Sequence, residues 1–281
     1  DRLGLSRQSN EFKTTAQGKR KPSPTFSDDE LIIKYRHPLS VQEHQQSGGK
    51  LVKRIASLHY DVVKLTGKKN MKEAIRRYAE NHNVVSVSRS AQFVPFSTSA
   101  DDPKKAKAYY LTMLQVERAL SLAGPHPVKV AVVDTGIDAN HPELKGKIIA
   151  NDNVMNPLQK GAVDVHGTHV AGIIAGEKGN GIGAHGVFPR AQIISIDVFN
   201  RSFFSSDYIV AEGILEAIRQ KAQVINLSLG SSVPSPIVEE AIQKALAANI
   251  TVVAAAGNSV MPMYEYPAAY EGVIGVGAID A

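Results

Sequence analysis

The 281-residue sequence contains no cysteine. That excludes disulfide staples, zinc ribbons and thiol nucleophiles, and it leaves the redox compartment open. No apolar run approaches the roughly 18 residues that a membrane helix needs, so no span is expected. No apolar signal-like region opens the chain at Asp1, so any export signal is expected to be already gone. A Gly-x-Gly-x-x-Gly turn is missing after the first apolar strand of the second half, where the chain reads Asp134-Thr135-Gly136, and this argues against a dinucleotide site. His-Glu-x-x-His is missing too, so His166 and His169 lack the internal general base of a zinc hydrolase pair.

What is present describes a globular chain: 43% hydrophobic residues, 21% charged residues and a mean hydropathy of −0.14 suffice for a sizeable core. The length suggests one large domain with a smaller companion. The net charge of +5 conceals an asymmetry, because residues 1–124 carry 22 Lys and Arg against 12 Asp and Glu, whereas residues 125–281 carry 10 against 15. The basic residues are scattered, without a stacking series of aromatics or a recognition helix, so nucleic acid is not the expected partner. A basic first module docking on an acidic second module of the same protein is the simpler expectation.

Residues 1–27 are polar, end in Lys19-Arg20-Lys21-Pro22-Ser23-Pro24, and read as a flexible leader. From Asp28 the pattern predicts a strand over Leu31 to Tyr35, a short helix over Val41 to Gln46 stopped by Gly48-Gly49, and a hairpin of Leu51 to Leu58 with Tyr60 to Leu65. Met71, Ala74, Ile75 and Tyr78 fall on one helical face, and Val84 to Val87 reads as a closing strand. This β-α-β-β-α-β order predicts a small α+β ferredoxin-like unit over 28–96, with two helices on one sheet face and the other face open to a partner. Residues 97–124 read as a linker and the start of the next unit, with a helix over Met113 to Leu122. Over 125–281, apolar strands at Val128 to Val133, Ile193 to Val198, Val224 to Leu229 and Ile250 to Ala255 alternate with helices at Ile209 to Ile218 and Ile237 to Leu246. That alternation predicts an α/β fold with a parallel sheet covered on both faces, in three layers.

In such sheets the working site lies beyond the carboxyl ends of the strands, and Asp134, Ser228 and Asn258 all stand there. Asp134 follows Val-Ala-Val-Val and precedes Thr135-Gly136; it is either a turn cap or a carboxylate aimed into a cleft. His166 opens the run His-Gly-Thr-His-Val-Ala-Gly, whose small residues let a helix press against other backbone. One ring nitrogen can then bond a carboxylate while the other accepts a proton. His169 reads as structural. Asn258, after Ala254-Ala255-Ala256-Gly257, is either an ordinary turn residue or an amide donor to an oxyanion, and Ser228-Leu229-Gly230 offers backbone to an extended peptide.

Val-Val-Asp-Thr-Gly-Ile-Asp, His-Gly-Thr-His-Val-Ala-Gly and Ala-Ala-Gly-Asn, in that order, make the sequence resemble a subtilisin-like serine protease of the subtilase family with its inhibitory propeptide attached. The resemblance implies that Asp134 orients the imidazole, His166 is the general base and Asn258 the oxyanion donor. It implies that Ser228, Leu229 and Gly230 with Ala255, Ala256 and Gly257 form the walls of the primary specificity pocket. It also implies calcium, with Asp102, Glu143, Glu177, Asn180, Ile182 and Ala184 as ligands, Glu143 standing where the family usually has an Asp. By the same analogy residues 28–96 are an inhibitor and folding aid whose tail lies in the substrate cleft and is cut near Phe96 to Ala100. Polypeptides are the implied substrates and secretion the implied destination.

The family nucleophile is a Ser in a Gly-Thr-Ser-Met-Ala type segment, and Gly-Thr-Ser occurs nowhere in these 281 residues. The expectation is that the Ser lies beyond Ala281, on the same protein or on a separate carboxyl-terminal segment. This polypeptide by itself is then expected to be inactive. A non-catalytic homologue with a regulatory or peptide-binding role is the alternative.

Overall fold

The computed structural model describes residues 26–66, 71–95, 108–180, 183–258 and 264–279. Residues 1–25 of the leader therefore lie outside the described residues, as do residues 97–107 of the linker. The first unit runs β1 (Phe26–Tyr35), α1 (Val41–Ser47), β2 (Gly49–Ile55), β3 (Tyr60–Leu65), α2 (Met71–Ala79) and β4 (Val84–Pro95). Its strands are ordered β4-β1-β3-β2 and every pairing among them is antiparallel. Helix α1 begins at a capping box between Ser40 and Glu43 and ends at Gly48, whose φ of 92° is one that side-chain-bearing residues rarely adopt.

The alternation of β1 decides what each face of this sheet meets. Leu31, Ile33 and Tyr35 point to one side and pack with Val63, Ala74 and Tyr78 beneath the two helices. Ile32 points to the other side with Tyr60, Val62, Ala91 and Phe93, and these join the core of the second unit. Two differences from the sequence expectation follow from local backbone. The Leu51 to Leu58 run stops being a strand at Ile55 and becomes a 3-10 turn over Ala56–Leu58, while β4 continues eight residues past Val87 because new partners pair with its far end.

The second unit contributes α3 (Tyr109–Met113), α4 (Val116–Leu122), β5 (Lys129–Asp134), β6 (Ile148–Asn153), α5 (Val165–Ala175), β7 (Gln192–Asp197), β8 (Ser205–Ser206) and α6 (Asp207–Arg219). It continues with β9 (Val224–Leu227), β10 (Leu229–Gly230), α7 (Pro236–Ala247), β11 (Thr251–Ala255) and β12 (Ile274–Val276). Six parallel strands in the order β12-β11-β9-β5-β7-β6 form the sheet. Helices α6 and α7 cover the face carrying Ala131, Val133, Ile194 and Ile196, and α5 covers the face carrying Val130, Val132 and Ile193. The expected single helix over Met113 to Leu122 is broken, since Gln115 at its junction takes a φ of 52°. Strand β6, too polar after Ala150 to announce itself, was not expected from the sequence.

The two units meet along α6 and α7. Lys34 reaches Glu240 at 2.6 Å, Tyr60 donates its hydroxyl to the same carboxylate at 2.7 Å, Lys53 pairs with Glu212, and Lys244 bonds the Ser57 carbonyl. At the centre sits Asp207, nearly fully buried at the start of α6. Its carboxylate accepts from the Ser90 hydroxyl at 2.7 Å, the Ala91 N–H at 3.0 Å and the Ser235 hydroxyl at 2.9 Å. Burial pushes this carboxyl up, while those donors hold it down. Asp207→Ala strands the three donors in a dry interface and is expected to cost about 3 kcal/mol. A urea midpoint within error of wild type would show that Asp207 does not hold the two units together.

Candidate active site

The site begins with a close approach of two backbones. Strand β5 ends at fully buried Asp134 and turns at Gly136, whose φ of 94° and 2.0 Å clearance between a notional Cβ and the Ala162 carbonyl admit only glycine. Gly167, in the first turn of α5, lies against that turn so tightly that a Cβ would stand 2.3 Å from the Gly136 carbonyl. The small residues Ala171 and Ala175 continue the buried face of the helix.

Asp164 and Thr135 clamp this junction. Asp164 is the N-cap of α5, its Oδ1 accepting from the His166 N–H at 2.9 Å and from the Thr135 hydroxyl at 2.8 Å. The Thr135 oxygen in turn accepts from the Gly167 N–H at 3.1 Å. The consequence is that the His166 side chain leaves the first turn of the helix toward β5, and Nδ1–H donates to Asp134 Oδ1 at 2.6 Å. The same oxygen accepts from the Thr135 N–H at 2.7 Å, so the carboxylate cannot swing away. With Nδ1 as the donor, the proton-accepting nitrogen of the neutral ring is Nε2. Next to Asp134 in the sheet, buried Asp197 accepts from the N–H groups of Ala162, Phe199 and Asn200, fixing the loop that Gly136 touches.

His166 opens onto a cleft of about 590 Å³ shared with Ser228, Ala255, Gly257 and Asn258. Of the other expected pocket residues, Ala256 is exposed and donates its N–H to the Val276 carbonyl at 2.8 Å, while Leu229 and Gly230 are buried as β10. That short strand pairs antiparallel with the end of β4, Leu229 opposite Pro95 and Gly230 opposite Val94, and β8 pairs with Gln92 and Phe93. The first unit therefore feeds its own chain, as a strand ending at Pro95, into the cleft that His166 borders. His169, read from the sequence as structural, is instead exposed and lines the cleft. Asp164 and Thr135 were missed, although an Asp two residues before His166 is a recognisable cap signal.

The expected cation ligands are brought together only in part. Asp102 and Ile182 lie outside the described residues. Glu143 is buried, its Oε2 accepts from the Asn180 amide at 3.2 Å, and its Oε1 has no hydrogen-bond partner and faces Gly183, beside Ala184. The Glu177 backbone N–H donates to the Glu143 carbonyl, but its carboxylate is engaged by Lys147 at 2.8 Å, which holds that carboxyl low. Among the described residues no group of three or more His, Asp and Glu surrounds one point.

The model of the subtilase family matches residues 126–281, which is more than half of the chain. The chain belongs to the subtilase family. A second match, to the fervidolysin N-terminal prodomain, covers residues 12–88. This subtilase is 37% identical over 184 residues to thermitase of Thermoactinomyces vulgaris, covering 65% of the chain and 66% of thermitase. It is 40% identical over 156 residues to a thermophilic serine proteinase of Bacillus sp. strain AK1, covering 54% of the chain and 38% of that protein. The crystal structure of fervidolysin from Fervidobacterium pennivorans, described as a keratinolytic enzyme related to subtilisin, superposes with a TM-score of 0.72 at 27% identity over 89% of the chain and 43% of that structure. The chain thus spans 38% to 66% of these relatives' lengths.

Asp164→Ala removes the cap of α5 and the clamp on Thr135 together. Its expected cost is about 1 to 2 kcal/mol, with exchange of the first-turn amides of α5 accelerated more than the rest of the helix. Uniform protection along α5 in the variant would contradict the clamp.

Proposed function

We propose that the full-length protein is a serine endopeptidase proform in which Asp134 and His166 serve a nucleophilic Ser supplied from outside these 281 residues. The carrying observation is the pairing of Val94-Pro95 with Leu229-Gly230, which leads an extended chain toward the Asp134–His166 pair as a substrate would lie. In this reading His166 Nε2 takes the serine hydroxyl proton as the oxygen attacks the peptide carbonyl, and buried Asp134 steadies the imidazolium. Asn258, on the cleft wall, donates to the oxyanion of the tetrahedral intermediate. His166 then returns the proton to the departing amine, and water repeats the sequence on the acyl enzyme. Residues 26–95 act as inhibitor and folding aid, with the parallel sheet of the second unit, rich in non-local contacts, as the element that benefits. The cut falls in the segment after Pro95, in the 96–100 stretch that lies outside the described residues.

Calcium is proposed for the Glu143 site. The fit rests on Glu143 Oε1, a buried carboxylate oxygen without a hydrogen-bond partner among the described residues, with Asn180 alongside and Gly183 facing it. Glu143 and Asn180 would hold the ion, which would supply charge neutralisation to the buried carboxylate. Secretion fits a processed proform, and a polypeptide is the substrate class.

Two outcomes are expected. In the full-length protein His166→Ala abolishes self-processing in the 96–100 segment by intact mass, and processing at the wild-type rate would count against the Asp134–His166 assignment. Chelation lowers the thermal midpoint of the wild type, and Asn180→Ala diminishes that sensitivity. A wild-type midpoint indifferent to chelator would sink the calcium site.

A further inference from the structure

Four side-chain oxygens are buried without a hydrogen-bond partner among the described residues: Asp134 Oδ2, Glu143 Oε1, Ser195 Oγ and Glu265 Oε2. The first belongs to the Asp–His pair, the second to the candidate cation site, and the third is a hydroxyl within β7. Glu265 has no part in either site, and its placement is informative. It immediately precedes Tyr266, whose backbone N–H and carbonyl each bond Ser231 at 2.8 Å. Its Cγ stands 2.8 Å from where a Cβ on Gly257 would be, and Gly257 has a φ of 92°, so glycine makes room for the acid. Glu265 thus lies between the strand end that carries Ser228 to Ser231 and the strand end that carries Ala255 to Gly257. Ser228, Ala255 and Gly257 all line the cleft that holds His166 and Asn258.

A carboxylate oxygen withdrawn from water is unfavourable without a counter-charge, and burial pushes the Glu265 carboxyl up, with no cation among the described residues to oppose the shift. The group best able to relieve it is an ammonium or guanidinium entering from the cleft past the small residues at 255–257. Resting on the protease reading above, we propose that Glu265 is the specificity-determining acid of the primary side-chain pocket, selecting Lys or Arg on the amino side of the cleaved bond. The chain's own 96–103 stretch, Phe-Ser-Thr-Ser-Ala-Asp-Asp-Pro, holds no Lys or Arg. The segment that β4 directs to the cleft is then a slow substrate, which suits an inhibitor that must persist until folding is complete.

The test uses the full-length protein after removal of the first unit, as wild type and as Glu265→Gln. Peptides differing only in Arg, Lys, Leu or Phe at the residue before the cleaved bond give selectivity, and p-aminobenzamidine fluorescence reports cation binding independently of catalysis. The expected results are a wild-type preference for Arg and Lys, a fall of about 100-fold in the Arg-to-Leu ratio of kcat/KM in Glu265→Gln, and p-aminobenzamidine binding weakened at least about tenfold. Cleavage without a basic preference, or a ratio unmoved by Glu265→Gln, overturns the assignment while leaving the protease reading intact. If no peptide is cleaved, the protease reading fails, and p-aminobenzamidine then decides the pocket: binding lost in Glu265→Gln upholds the acidic pocket, and absence of binding to the wild type overturns it.

Discussion

The start of α5 presses against the end of β5, and the arrangement of the site depends on how closely these two backbones meet. Gly136 and Gly167 allow the approach, because a Cβ at either position would stand within 2.3 Å of a carbonyl oxygen. Thr135 and Asp164 then lock the junction with hydrogen bonds that also cap the helix. Only after these constraints are met does His166 find Asp134 at 2.6 Å. The pair is therefore preorganised by packing and capping, its geometry set by the fold itself.

The second organising feature is the junction of the two units. The sheet of the first unit has helices on one face only, so its other face must be buried elsewhere, and α6 and α7 provide the surface. Charge assists: lysines of the first unit meet Glu240 and Glu212 of the second, in keeping with the basic and acidic halves of the sequence. Two of the four groups in those pairs are more than a third exposed, so they align the units more than they hold them. Apolar burial around Phe93, Tyr60 and Val62, with Asp207 at its centre, carries the adhesion. This docking gives β4 its direction into the cleft, joining an interface about surface burial to a site about chemistry.

Much of this was legible in the sequence because it is written in short periods. The alternation of Leu31, Ile32 and Ile33 and the helical spacing of Met71, Ala74, Ile75 and Tyr78 gave the first unit, and four apolar runs gave most of the parallel sheet. The motif residues Asp134, His166 and Asn258 were legible by their positions after strands or at a helix start. What escaped depends on partners distant in the chain. The far half of β4 is a strand because β8 and β10 bond it, and β6 is a strand because β7 does. Glu265 carries no local signal, since its burial comes from Gly257 and from the bridge between Tyr266 and Ser231. Glu177 looked like a loop ligand, yet Lys147, thirty residues away, takes its carboxylate.

The proposal on which the rest turns is that the Asp134–His166 pair activates a serine supplied from outside these residues. Intact mass spectrometry of the full natural gene product, freed of its first unit and treated with a fluorophosphonate, tests it most directly, because such reagents acylate only an activated hydroxyl. The account predicts a single adduct on a Ser beyond Ala281, lost when His166 is replaced. A folded, complete protein that takes no adduct, or one whose labelling is indifferent to His166, would contradict it.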